Sequence, residues 1–125
     1  MKYLVLAYYD EQAFNALPPD QVKALVGQCP PHDAALRESG RLLTIASLAE
    51  SRASVSVRPR SGKVTVTDGP FIETKELIGS FFLIEAADLE EAVRIASKHP
   101  AAHLGEQVGW GLEVRPVEFF AEPGR

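Results

Sequence analysis

The feature that most constrains this chain is a short segment near its start that is apolar on both faces. Residues 3–9 read Tyr-Leu-Val-Leu-Ala-Tyr-Tyr, and aromatic and branched side chains of this kind favour a strand. Successive side chains of a strand point to opposite sides, and neither the odd nor the even set is polar here. Residues 81–84, Phe-Phe-Leu-Ile, repeat the property. A sheet built from these segments needs cover on both of its sides.

Two helical regions are available to cover one side of that sheet. The first, with Asp20 as its cap, breaks at the proline pair 30–31 and stops at Gly40. The second starts at a capping box formed by residues 88–91. Strands are predicted at residues 2–9, 42–48, 53–58, 63–67, 80–86 and 110–117.

This order of elements predicts an α+β fold, with an antiparallel sheet in a split β-α-β arrangement of the ferredoxin-like kind. The strands within residues 53–67 form a hairpin, because a turn lies between them. An open parallel sheet is disfavoured, since only two helical regions are available for crossovers. We interpret residues 1–119 as a single domain and residues 120–125 as a C-terminal tail.

The second face of the sheet predicts a partner. Two helices leave it apolar and in contact with water, and contiguous apolar surface of this kind marks a binding site for another protein. The alternative is that the loop at residues 10–19 folds over it. We expect a homodimer that buries the sheet face opposite the helices.

Composition excludes several classes of protein. The formal net charge of −4 argues against nucleic-acid binding, which depends on a basic surface. The apolar opening run is too short to span a membrane and lacks a cleavage site for a signal peptide. Cys29 is the single cysteine, so an internal disulfide is impossible. These observations favour a cytoplasmic protein that binds neither nucleic acid nor membrane.

The most distinctive stretch is Val-Thr-Asp-Gly-Pro-Phe-Ile-Glu-Thr-Lys-Glu at residues 66–76. It is followed by Gly-Ser-Phe-Phe-Leu-Ile-Glu-Ala at 79–86 and by Glu-Val-Arg-Pro-Val at 113–117. With these segments the chain resembles the YCII-related family, and more narrowly its branch named for the Asp-Gly-Pro-Phe motif. The resemblance runs over nearly the whole chain, from Met1 to Val117.

The resemblance implies a dimeric ferredoxin-like α/β-barrel, in agreement with the pattern of strands and helices. The biochemical role of the family is largely unassigned. Some relatives outside this branch are enzymes that act on small ring compounds through a histidine and an aspartate. Members of the branch are often encoded beside alternative sigma factors, which implies a regulatory or accessory task.

Asp68 and His32 are the candidate catalytic residues. A carboxylate beside an apolar pocket has its pKa raised by desolvation and can act as a general acid or base. Asp68 would then be largely buried and face a cavity, whereas a turn cap would direct its oxygens at backbone amides. His32 is a candidate because the histidine side chain in general suits proton transfer near neutral pH, and the alternative is an exposed or capping histidine. His99 precedes a proline at a helix end, where a positive ring would favour the helix dipole, and it is interpreted as structural.

Four further residues are candidates for substrate binding. Arg58 can pair with a carboxylate of a substrate, although pairing across strands or subunits is the alternative. Phe71 belongs to the aromatic content expected of a pocket or a core. Glu73 and Lys75 would form a polar rim, or an ordinary solvated loop. The scattered histidines predict no metal site, and Cys29 has no histidine partner that would activate it as a nucleophile.

Two functions remain open at this point. The first is a small-molecule enzyme without a cofactor, in which Asp68 moves a proton and His32 assists. The second is a non-catalytic binding or sensing protein with the same pocket, linked to a sigma-factor regulatory circuit. The sequence carries no nucleotide-binding glycine loop and no nucleophile elbow that would decide between them.

Overall fold

The computed structural model describes residues 1–124 of the chain. No helix among them has the length and the apolar character needed to cross a membrane. The strands are β1 (Lys2–Asp10), β2 (Leu42–Ser47), β3 (Val55–Arg60), β4 (Lys63–Asp68), β5 (Glu76–Glu85) and β6 (Gly111–Pro116). The helices are α1 (Glu11–Asn15), α2 (Pro19–Gly27), α3 (Pro30–Glu38) and α4 (Leu89–Ala96), with short 3-10 turns at Ser51–Ala53, Pro100–Ala102 and Glu106–Val108.

Four strands form one antiparallel sheet in the order β2-β5-β1-β6. This is the strand order of a ferredoxin-like fold, so the predicted α+β architecture is confirmed. β1 lies in the interior and pairs with β5 on one edge and with β6 on the other. β3 and β4 pair only with each other and form a separate hairpin, which lies between β2 and β5 in the chain.

The two faces of the sheet differ in burial, and successive side chains of β1 alternate between them. Tyr3 and Val5 of β1 are buried together with Phe82 of β5, and they point towards α3 and α4. The helices add apolar side chains such as Leu36 and Ile95 to the same cluster. One continuous core therefore lies between the sheet and these two helices.

The opposite face carries the other set of apolar side chains. Leu4 and Leu6 of β1 and Phe81 and Leu83 of β5 share this face and remain half-buried. No helix of the described chain contributes to the core from this side. The loop that was the alternative cover, residues 10–19, instead contains α1.

The hairpin presents a second apolar surface. Val57 pairs with Val66, and Val55 and Val64 share the same face of the two strands. All four side chains are exposed, between 55% and 75% of their full surface. The hairpin is held at its base, where Gly69 N–H donates to Ser54 O at 2.8 Å. We call this hairpin of β3 and β4 the arm. Its apolar face is not covered by other described residues of the chain.

The helix ends show which of the predicted helix caps are correct. Asp88 caps α4 by accepting from Glu91 N–H at 2.8 Å, and the Glu91 carboxylate reaches back to Ala87 N–H at 3.0 Å. Asp20 is not a cap, because α2 already starts at Pro19 and has no side-chain cap. α1 was missed, although Asp10 caps it by accepting from Ala13 N–H at 3.1 Å.

Two glycines with positive φ form a matched pair for a test of backbone strain against crowding. Gly69, in the distinctive motif, has φ +102° and no atom near the position of an added Cβ. Gly105 has φ +75°, but a Cβ there would lie 2.2 Å from Cδ2 of Trp110. Both changes to alanine carry strain of about 1–2 kcal/mol, and overpacking adds about 1–3 kcal/mol at Gly105 alone.

We therefore expect Gly105→Ala to lower the free energy of unfolding more than Gly69→Ala does. Urea denaturation followed by circular dichroism measures both. Trp110 is the single tryptophan, so its fluorescence should shift in Gly105→Ala and stay unchanged in Gly69→Ala. Equal losses of stability would mean that the Trp110 indole moves away from the added Cβ at no cost in free energy.

Candidate active site

A cavity of about 420 Å³ lies at the end of β1, beside the neighbouring parts of β2, β5, α1 and α3. Aromatic side chains make up much of its wall. The polar groups that converge on it come from Asp33, His99, Glu50 and the hydroxyl-bearing side chains. The lining residues are Ala7, Tyr8, Tyr9, Phe14, Asn15, Cys29, Asp33, Ser47, Leu48, Glu50, Gly79, Ser80, His99, Pro100, Ala101 and Trp110.

A bulge in the sheet forms part of this cavity. Ala7 pairs with Ser80, but the next residue, Tyr8, pairs with Ile78, so Gly79 has no partner on β1. An extra residue of this kind bends its strand and redirects neighbouring side chains. Tyr8 and Tyr9 both line the cavity beyond the bulge, although they would point to opposite faces of a regular strand.

His99 is held by its backbone and by a neighbouring ring. Its Nδ1 accepts a hydrogen bond from Ala101 N–H at 3.0 Å and thereby caps the 3-10 turn Pro100–Ala102. Its ring stacks on Phe82, with 5.1 Å between centroids and 11° between planes. Because Nδ1 is an acceptor, the neutral ring carries its proton on Nε2. The side chain is therefore a fixed hydrogen-bond donor.

The surroundings of His99 favour its neutral form. Burial lowers the pKa of the ring below 6.5, the Asp33 carboxylate acts in the opposite direction, and His32 adds to the lowering. The expectation of a positive ring at a helix end is therefore corrected. The ring caps the start of the turn that follows α4, where the backbone N–H groups disfavour a cation.

Asp33 supplies the carboxylate at this cavity. It lies in the first turn of α3 and is half-buried. No described residue forms a hydrogen bond or an ion pair with its side chain, so its oxygens are open to a ligand. The nearby Cys29 thiol stays protonated, because burial raises its pKa and the Asp33 charge raises it further. A thiol nucleophile is thereby disfavoured, as the sequence indicated.

Tyr9 lines both this cavity and a second recess of about 600 Å³ at the base of the hairpin. Its hydroxyl donates to Glu11 at 2.8 Å. The same carboxylate accepts from Ser51 N–H at 2.9 Å and from the Ser51 hydroxyl at 2.5 Å. Burial, followed by the bond and charge of Glu11, raises the pKa of Tyr9 to about 12, while the Ser51 bonds lower the pKa of Glu11. Tyr9 therefore remains a neutral donor.

The structure places Asp68 at the end of β4, exposed, and apart from the residues that line the cavity. Its backbone pairs with Val55, and no described backbone amide donates to its carboxylate. Within the single chain, Asp68 is not buried, as a pocket aspartate would be. It also lacks the contacts with backbone amides that a turn cap would make. Its catalytic role stays a prediction that this geometry does not support.

His32 lies in α3, next to Asp33 in sequence, and is half-buried. Its ring stacks on His103, with 4.8 Å between centroids and 15° between planes. His103 in turn donates from Nε2 to Ser97 O at 2.5 Å. Neither His32 nor Asp68 is among the lining residues, so the cavity does not bring them together. The assistance of His32 in proton transfer stays a prediction.

The four predicted binding residues lie on or beside the arm. The Arg58 guanidinium covers the ring of Phe71 at 3.7 Å, and its Nη2 donates to Phe71 O at 2.8 Å. Phe71 lines the second recess. Glu73 is exposed, and Lys75 Nζ lies 3.8 Å from Asp10 Oδ2. Within the single chain, Arg58 is engaged by the motif and is not directed at the cavity.

Sequence reasoning missed Asp33 and passed over His99 as a functional residue. The two line the same cavity although they lie far apart in the sequence, and no local pattern reports that proximity. The His99-Pro100 pair was visible as a helix end, but the direction of the ring was not. No group of three or more His, Cys, Asp or Glu side chains among residues 1–124 is arranged to hold a metal ion.

Comparisons with known proteins match the chain to one family model and to two individual proteins. A family model described as YCII-related domain matches residues 1–118. An uncharacterized protein of Rhizobium meliloti (strain 1021) is 32% identical over 124 residues, which cover 99% of this chain and 97% of that protein. A solved structure of 5-chloro-2-hydroxyhydroquinone dehydrochlorinase from Burkholderia phenoliruptrix AC1100, in complex with 2,5-dihydroxybenzoquinone, matches over 94% of each chain with 14% identity and a TM-score of 0.47.

The state of His99 can be measured directly. We expect ¹⁵N–¹H NMR correlations to show the Nε2-protonated tautomer at neutral pH, and the ring to titrate below 6.5 because burial disfavours the cation. Asp33→Asn should lower the pKa of His99 further, since the carboxylate acts against burial. Asp20→Asn removes an equal charge from exposed surface and should leave it unchanged. A pKa above 6.5, or no response to Asp33→Asn, would contradict this electrostatic description.

Proposed function

The chain belongs to the YCII-related domain family, and we propose that it is an enzyme that moves a proton within a small ring compound without a cofactor. The observation that carries the proposal is that Asp33 and His99 line one cavity together with four aromatic side chains. A volume of about 420 Å³ falls within the range of small-molecule sites. One group can accept a proton there, and the other can donate a hydrogen bond.

The chemistry follows from the state of each group. The His99 Nε2–H donates to a carbonyl oxygen of the substrate, and a neutral imidazole held in this way polarises the carbonyl. The Asp33 carboxylate takes a proton from the adjacent carbon, and the electron pair of the broken C–H bond moves into the enolate. Where the substrate is a β,γ-unsaturated ring ketone, the enolate is a dienolate, and return of the proton from Asp33 to its γ-carbon completes an isomerisation with no atom gained or lost.

This assignment keeps the roles that the sequence gave to Asp68 and His32 and moves them to other residues. Burial supports the change, because Asp68 is exposed whereas Asp33 is half-buried at the cavity. Desolvation and fixed geometry are what make a proton-transfer site effective. The two assignments differ in which carboxylate is essential, so a comparison of aspartate variants separates them.

Proton transfer can be tested with 2-tetralone, a neutral bicyclic ketone with acidic protons beside its carbonyl. We expect the protein to accelerate exchange of those protons with D₂O, followed by ¹H NMR. Asp33→Asn should reduce the enzymatic rate by about 100-fold or more, the usual scale for loss of a general base. Asp68→Asn and Asp20→Asn serve as matched controls and should retain the rate.

Three outcomes would change this conclusion. Loss of exchange in Asp68→Asn but not in Asp33→Asn would restore the assignment made from the sequence. Binding of 2-tetralone without any acceleration would favour the non-catalytic binding or sensing protein. Absence of both binding and exchange would argue against the cavity as a site for neutral ring ketones.

We also propose that two copies of the chain associate through the open face of the sheet. Support comes from the apolar side chains of β1 and β5 that remain half-buried on this face, with Leu6 and Phe81 paired at its centre. The exposed valines of the arm add apolar surface that a second copy could cover. A standard interface would bury about 1,600 Å² in total.

Light scattering after gel filtration tests the association. At micromolar concentration we expect a mass twice the 13.6 kDa of the chain. Leu6→Lys places a charge in the open face and should give a monomer. Val93→Lys, on the exposed surface of α4, is the matched control and should leave the dimer intact. A monomeric mass for the unchanged protein would contradict the proposal.

A further inference from the structure

The lysine, arginine, aspartate and glutamate residues that line the cavity are all of the negative kind. None of the described residues that line it is a lysine or an arginine, whereas two of them, Asp33 and Glu50, are acidic. Glu50 is largely compensated, because its Oε2 lies 2.8 Å from Nε of Arg52. Asp33 has no such partner in the described chain. The cavity therefore contains one half-buried negative charge that no side chain neutralises.

Groups around the cavity respond to this charge. Burial raises the pKa of the Cys29 thiol, and the Asp33 carboxylate raises it further. At His99 the same carboxylate acts against the effect of burial. Both groups feel the negative charge of Asp33, which favours a cation and disfavours an anion, although burial is the larger effect at each and keeps the His99 ring neutral. A ligand entering the cavity meets the same charge.

The walls favour a cation as well. Tyr8, Tyr9, Phe14 and Trp110 line the cavity, and Tyr9 and Phe14 meet edge to face, with 6.1 Å between ring centroids. The faces of aromatic rings attract ammonium groups, and the attraction grows when water is excluded. An aromatic wall beside an uncompensated carboxylate is a combination that suits an organic cation.

We propose that this cavity also binds small arylalkylamines in their protonated form, in competition with a ring ketone, and that compounds bearing a carboxylate or phosphate are rejected. The ammonium group pairs with Asp33, and the ring packs against the aromatic wall. The inference rests on the proposed function only in taking this cavity as the binding site. It reverses the expectation that Arg58 receives an acidic substrate, since Arg58 is engaged by Phe71.

Three probes with the same phenol ring test the charge preference. Tyramine carries an ammonium group, 4-ethylphenol is neutral, and 4-hydroxyphenylacetate carries a carboxylate. We expect titration calorimetry or ligand-observed NMR to rank their affinities in that order. Tyramine should bind roughly tenfold or more tightly than 4-ethylphenol, as a charge-assisted hydrogen bond provides.

Variants identify the source of the preference. Asp33→Asn should remove the advantage of tyramine over 4-ethylphenol and leave the affinity for 4-ethylphenol nearly unchanged. Asp20→Asn lowers the negative charge of the protein by the same amount at an exposed site and should retain the advantage. The neutral probe reports whether each variant keeps an intact cavity.

The proposal is overturned if 4-hydroxyphenylacetate binds as tightly as tyramine, if Asp33→Asn leaves the ranking unchanged, or if none of the three probes binds. These results are distinct from a failure of the proton-transfer chemistry. A protein that ranks the probes as expected but exchanges no protons of 2-tetralone retains the charge preference and loses the enzymatic function. A protein that exchanges protons but prefers the anionic probe retains the function and loses this inference.

Discussion

The pairing of β1 along both of its edges is the constraint on which the rest of the structure depends. Because β5 and β6 both hydrogen-bond to it, β1 cannot slip by one residue without turning Tyr3 and Val5 out of the core. The ladder with β5 shifts register after Ala7. Beyond that shift the same strand supplies two walls of the cavity. The core and the candidate site therefore lie at opposite ends of β1.

Much of the sheet could be predicted because its signals are local. The alternation of apolar residues in β1 and β5, the proline pair that starts α3 and the turn between β3 and β4 each act over a few neighbouring residues. α1 was missed because its five residues carry too short a periodic pattern to be distinguished from a loop. Asp20 was wrongly read as a cap because proline at the first helical position had already fixed where α2 starts.

The candidate site could not be predicted in the same way. Asp33 and His99 stand on elements far apart in the sequence, and their approach is a product of how α3 and α4 pack on the sheet. The distinctive motif drew attention to Asp68 because it is the most recognisable segment of the chain. A motif marks a region that a family shares, but it does not say towards which surface a side chain points. Here the hairpin carries Asp68 away from the cavity.

The three hydrogen bonds accepted by Glu11 join the wall of the cavity to the base of the arm. A ligand that displaces the Tyr9 ring must either break the bond to Glu11 or move that carboxylate with it. Since Ser51 holds the same carboxylate, the displacement is passed to the segment that leads into β3. Such a ligand would couple the cavity to the arm, and a contact that fixes the arm would then change the affinity for the ligand by the factor by which the ligand changes the affinity of that contact.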